Sequence, residues 1–117
     1  MSRKTPEAWA GIPWFTEQAI TIRDARGAEI AKTRPVVVVS RDEMNRHLDT
    51  IVVCPLTTKL HPRWRSRIPV TCARRKAEIA VDQIRTISKD RLGKRLDHLS
   101  AADAARTRRL IVEMYGE

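Results

Sequence analysis

Arg34–Ser40 reads RPVVVVS, and Thr50–Pro55, after nine intervening residues, reads TIVVCP. Val36–Val39 is an unbroken β-branched run. Without alternation, it packs as a strand covered by core on both faces. Ile51–Val53 predicts a second buried strand, closed by Pro55 because proline cannot donate to a ladder. On either side, Ala19–Arg23 (AITIR) and Arg67–Thr71 (RIPVT) alternate apolar and polar residues, the mark of half-buried strands. Pro69 argues for an edge position or a bulge.

The intervening segments read as connections. Asp24–Lys32 and Leu56–Arg65 are loops, Ala73–Ala77 (ARRKA) is a charged turn, and in Ser40–Asp49 Ser40 is placed to cap one helical turn. Ile79, Val81, Ile84 and Ile87 predict a further strand or pair of strands, with a phase shift at Asp82–Gln83. Ser88 and Asp90 favour a short turn or helix start that Gly93 breaks. Ser100 with Asp103 forms a capping box, and Ala104, Thr107, Leu110, Ile111, Met114 and Tyr115 follow at helical spacing up to Gly116. About five or six short strands before one helix favour a small curled barrel, mainly β within the α+β class, over a parallel sheet.

The 117 residues suit a single domain, and a hydrophobic fraction of 42% supplies a packed core. Residues 1–15 (MSRKTPEAWAGIPWF) have no clean period and read as a loosely docked arm. No apolar run reaches the roughly 18 to 20 residues of a membrane-spanning helix, and no secretory apolar stretch opens the chain. Cys54 and Cys72 make no disulfide framework, and His47, His61 and His98 are scattered, so neither a metal site nor a cofactor is expected. A reducing cytoplasm fits best.

Charge is the other informative property: 23 Lys and Arg against 14 Asp and Glu give a net +9. Thr50–Ala77 contains no acid but carries Lys59, Arg63, Arg65, Arg67, Arg74, Arg75 and Lys76, with Trp64 among them. Such a run is either a solvated face or a polyanion contact. The excess of arginine favours the second, and an aromatic between arginines can stack on an unpaired base. Polar residues also gather at predicted strand ends: Glu29, Lys32, Arg34, Thr57, Thr58, Asp82 and Gln83. Each has an ordinary reading as a loop, turn or surface ion-pair residue. Together they suit RNA self-cleavage, in which the 2′-OH attacks the neighbouring phosphorus. A guanidinium then stabilises charge on the non-bridging oxygens, a hydroxyl adds a donor and a carboxylate moves a proton.

Gly27–Ser40 (GAEIAKTRPVVVVS) resembles the signature of the MazF/PemK family of toxin endoribonucleases, and the resemblance continues through TIVVCPLTT (Thr50–Thr58), VDQIRTI (Val81–Ile87) and SKDRLGKRL (Ser88–Leu96). It implies an SH3-like barrel of about five to seven strands with a C-terminal helix, usually homodimeric. It also implies metal-independent cleavage of single-stranded RNA, often mRNA, and a MazE/PemI-type antitoxin with an acidic tail. Arg34 matches the family's catalytic arginine, Thr57 its catalytic hydroxyl and Glu29 an acid implicated in activity. Lys32, Thr58, Lys59, Arg65, Asp82 and Gln83 are expected to contact RNA. Asp82 matches an acid some members use in catalysis, but the arginine that accompanies it two residues earlier is Ala80 here, and a histidine of some relatives is Ala28. The N-terminus departs most, offering only Gly11-Ile12-Pro13-Trp14 where relatives start their first strand. Two other functions are weighed: a CcdB-like gyrase poison, poorly matched by the terminal Met114-Tyr115-Gly116-Glu117, and a non-catalytic RNA- or antitoxin-binding barrel.

Overall fold

A computed structural model of the chain describes residues 18–24 and 32–116. The expected N-terminal arm, the first-loop residues Ala28 and Glu29, and the side chain of Lys32 lie outside the described residues. Among the described residues, seven strands and two α-helices follow in order: β1 (Gln18–Asp24), β2 (Lys32–Val38), α1 (Asp42–His47), β3 (Thr50–Thr57), β4 (Arg67–Cys72), β5 (Arg75–Ala80), β6 (Arg85–Ser88), β7 (Leu92–His98) and α2 (Ala101–Tyr115). The strands form one curled antiparallel sheet in the order β4-β5-β3-β2-β1-β7, with β6 also paired to β3.

The valine run behaves as its composition requires. Val37 packs with Ala19, Cys54, Leu56 and Ile79 under α2, while its neighbours Val36 and Val38 pack with Ile20, Ile22, Ile51, Val53 and Ile87 inside the curl. Alternate residues of one strand thus feed two separate cores, which is why all three are buried. Pro69 lies in β4, which among the described residues pairs with β5 alone and forms the edge that a proline tolerates.

Several expectations change. β3 does not stop at Pro55: it runs to Thr57, exchanging β6, paired at Thr50–Val53, for β5, paired at Leu56–Thr57. Pro55 falls at this exchange, where a missing N–H interrupts no continuous ladder. Ser40 is not a helix cap. α1 starts after Arg41 with no side-chain cap, and the Ser40 hydroxyl bonds Asn45 and accepts the Val52 N–H at 3.0 Å. The turn expected over Ala73–Ala77 is only Ala73-Arg74, both at positive φ (49° and 67°), before β5 begins at Arg75. The short helix start expected at Ser88 and Asp90 is present as the 3-10 turn Lys89–Arg91, capped by Ser88. It ends before Gly93, which lies in β7, where a Cβ would sit 2.5 Å from the Thr21 hydroxyl of β1.

α2 starts as the capping box predicts: the Ser100 hydroxyl accepts the Asp103 N–H at 3.1 Å. Replacing Ser100 by Ala removes that acceptor and is expected to cost about 1 kcal/mol, read as a lower midpoint in urea with an unchanged slope. At the other end the Tyr115 hydroxyl donates to the Val81 carbonyl at 2.9 Å. This pins the helix to the 3-10 turn Val81–Gln83, which links β5 to β6 and carries Asp82.

Candidate active site

β2 and β3 pair as Val36↔Pro55, Val37↔Cys54 and Val38↔Val53. Extended outward by two positions, that register faces Arg34 with Thr57, on the side of the sheet that Val36 and Val38 share inside the curl. Both residues line one cleft of about 760 Å³ at the mouth of that inner core, with Ile22, Pro55 and Leu56 as its floor. Lys59, Asp82 and Gln83 line it too, so five of the expected site residues converge there. Thr58 and Arg65 do not line it. Thr58 is exposed, and the Arg65 guanidinium lies 3.7 Å from Glu113 of α2.

The cleft also holds Trp64 and Arg67 of the basic arc, together with His61 and Arg85, which the sequence did not single out. Arg67 is the most informative of these. It faces Ala80 across the β4–β5 ladder, and its Nε donates to Asp82 Oδ1 at 2.9 Å. Although position 80 is alanine, Asp82 thus has an arginine partner, from the residue directly opposite Ala80 in the ladder. Arg67 also lies 3.6 Å from Glu78 Oε1, with both side chains buried, and its guanidinium carbon sits 4.6 Å from the Trp64 ring centre. Of the seven cations in the acid-free interval Thr50–Ala77, Arg67 meets Glu78 and Asp82 and Arg65 meets Glu113, and Lys59 and Arg67 reach the cleft.

Burial alone would raise the Asp82 pKa, but hydrogen bonds from Arg67 and Ser66 hold it below the usual carboxylate range. Asp82 is a fixed anion that orients Arg67, not a reservoir of protons. The Thr57 hydroxyl accepts the Lys59 N–H at 3.1 Å, a local turn that fixes its oxygen and leaves its proton to donate. Burial and the Asp82 charge push the Cys54 thiol up to about 12, so it stays neutral and supplies no thiolate nucleophile. Among the described residues, Arg34, Lys59 and Arg85 line the cleft beside the Arg67–Asp82 pair, an arrangement suited to a phosphodiester.

The sequence model of the PemK-like, MazF-like toxins of type II toxin–antitoxin systems matches residues 19–115. The chain belongs to this family. Endoribonuclease MazF of Staphylococcus saprophyticus is 30% identical over 83 residues, covering 64% of this chain and 67% of that protein. Among solved structures, the Mycobacterium tuberculosis toxin MazF-mt6 superposes with a TM-score of 0.69 at 23% identity, covering 83% of this chain and 95% of that one. A Deinococcus radiodurans MazE–MazF structure reaches 0.75 at 16% identity, covering 86% and 94%, and a mycobacterial endoribonuclease in complex with its cognate antitoxin reaches 0.73 at 21%, covering 87% and 94%. At such identities the superpositions speak for the fold: the toxin has the curled barrel and C-terminal helix that the sequence predicts.

Proposed function

We propose that this toxin is an endoribonuclease that cuts single-stranded RNA, mRNA in the cell, by driving the 2′-OH onto the adjacent phosphorus. The observation that carries the proposal is the convergence of Arg34 and Thr57, from adjacent strands, in a cleft that Lys59 and Arg85 also line. The nucleophile belongs to the substrate, so the protein has two tasks: to stabilise the extra charge on the non-bridging oxygens and to move protons. Arg34 supplies two parallel N–H donors and Thr57 a third. Glu29, whose loop joins β1 to β2, is assigned the carboxylate that takes the 2′ proton. Lys32 and Lys59 hold flanking phosphates, and Gln83 reads a base edge.

The net +9 charge suits an acidic partner, and the relatives solved with MazE or a cognate antitoxin point to the same kind of partner here. We assign a MazE/PemI-type antitoxin, a homodimer and a cytoplasmic site of action. No helix among the described residues is long and apolar enough to cross a membrane. Thr57→Ala removes one donor to the developing charge and is expected to lower single-turnover cleavage about 10-fold with an unchanged melting temperature. An unaltered rate for this variant, measured on a single-stranded substrate in EDTA, would remove Thr57 from the mechanism.

A further inference from the structure

Cleavage needs a proton for the departing 5′ oxygen as well as a base for the 2′-OH. Among the described residues that line the cleft, the carboxylate of Asp82 is committed to Arg67 and held ionised. Guanidinium and ammonium groups ordinarily keep their protons at neutral pH, whereas an imidazole exchanges one readily. His61 is the one imidazole among those residues.

Its geometry is that of a fixed group. The backbone N–H donates to Glu78 Oε1 at 2.9 Å, and the ring stacks on Trp64 with centroids 3.8 Å apart and planes 9° from parallel. Trp64 in turn lies against Arg67, which is anchored by Glu78 and Asp82. No described residue hydrogen-bonds either ring nitrogen, so the stack fixes the plane of the imidazole while leaving its N–H edge for a ligand. Trp64, which the sequence suggests for stacking on a base, stacks on this histidine.

Building on the ribonuclease reading, we infer that His61 is the general acid of this site and protonates the 5′ oxygen as the chain breaks. The O2′–P bond forms while the P–O5′ bond breaks. The 2′ proton passes to the base, and the imidazolium N–H proton passes to O5′, leaving a neutral imidazole that water reprotonates. The products are a 2′,3′-cyclic phosphate and a 5′-hydroxyl. The charged groups near His61 are Glu78, which accepts its backbone N–H, Arg67 against the Trp64 ring on which it stacks, and, lining the same cleft, Lys59, Asp82, Arg34 and Arg85. Lys76 and Asp103 share with it the cavity behind Trp64. Because the acid must be protonated, the cleavage rate is expected to fall toward alkaline pH.

The test compares two RNA substrates in single turnover, one with the ordinary linkage and one with sulfur in place of the bridging 5′ oxygen. A thiolate leaves without a proton. His61→Ala is expected to slow the ordinary substrate about 100-fold yet cut the thio substrate within about twofold of wild type, and to lose the alkaline fall in rate. Equal slowing of both substrates would make His61 a structural or binding residue and overturn the inference, as would an unchanged rate on the ordinary one. If the wild-type protein cuts neither substrate, the ribonuclease reading itself fails, and this inference with it.

Discussion

Arg34→Ala is expected to reduce single-turnover RNA cleavage by about 100- to 1,000-fold, or roughly 3–4 kcal/mol of transition-state stabilisation. The side chain is exposed in the cleft lining, with exposed Pro35 between it and the buried Val36–Val38, so the change deletes a donor without opening the core. Substrate binding is expected to weaken far less than the chemical step, because the two non-bridging oxygens gain most of their charge only in the transition state. Arg34→Lys is expected to recover little of the loss, since a single ammonium cannot reproduce the planar pair of donors. Loss of binding with an unchanged rate at saturating RNA would make Arg34 a phosphate anchor instead.

The largest effect on stability is expected at Arg67. Its side chain and that of Glu78 are 5% and 3% exposed, and removing the guanidinium strands a carboxylate in the core. Arg67→Ala is therefore expected to cost about 3–5 kcal/mol in urea denaturation, more than the pair contributes, because a buried charge is left uncompensated. Adding Glu78→Gln should return part of that cost, since the amide oxygen can still accept the His61 N–H without carrying charge. The same change alters the acid limb. Asp82 has a folded pKa below its unfolded value, so its contribution is complete above about pH 4 and lost as pH falls through the folded pKa. Without Arg67 the main cause of that lowering is gone, and the decline of stability below about pH 4 is expected to become shallower. Near-wild-type stability of Arg67→Ala would show that the cluster is not a core ion network.

Features governed by local chemistry were legible in the sequence. β-branched valines with apolar neighbours on every side, a proline placed for an edge and a Ser100–Asp103 cap each gave the element that the structure contains. β7 was not legible, because LGKRLDH has neither period and its support comes from β1. The Thr21 hydroxyl accepts the Lys94 N–H at 2.7 Å, and Gly93 admits the close approach of Thr21. The run through Pro55 was missed for a related reason: whether a proline ends a strand depends on what its neighbours pair with.

The site divides along the same line. Arg34 and Thr57 follow from motif and strand end, and the valine register then sets them together. The partnership of Arg67 with Asp82 needed the pairing Arg67↔Ala80, a long-range fact that no local spacing encodes. His61 sits in LTTKLHPRWR, a loop without period, and becomes visible only once Trp64 and Glu78 are seen to hold it. The basic arc was legible as charge but not as pairing. Counted along the chain it is uncompensated, yet folding brings an acid against both Arg65 and Arg67.

The most direct measurement incubates the purified protein with a long single-stranded RNA in EDTA and determines the chemistry of the new ends. Cuts at a short recurring sequence, each leaving a 2′,3′-cyclic phosphate and a 5′-hydroxyl and absent with Arg34→Ala, are the predicted result. Intact RNA with folded protein, or ends bearing a 5′-phosphate, would contradict attack by the 2′-OH.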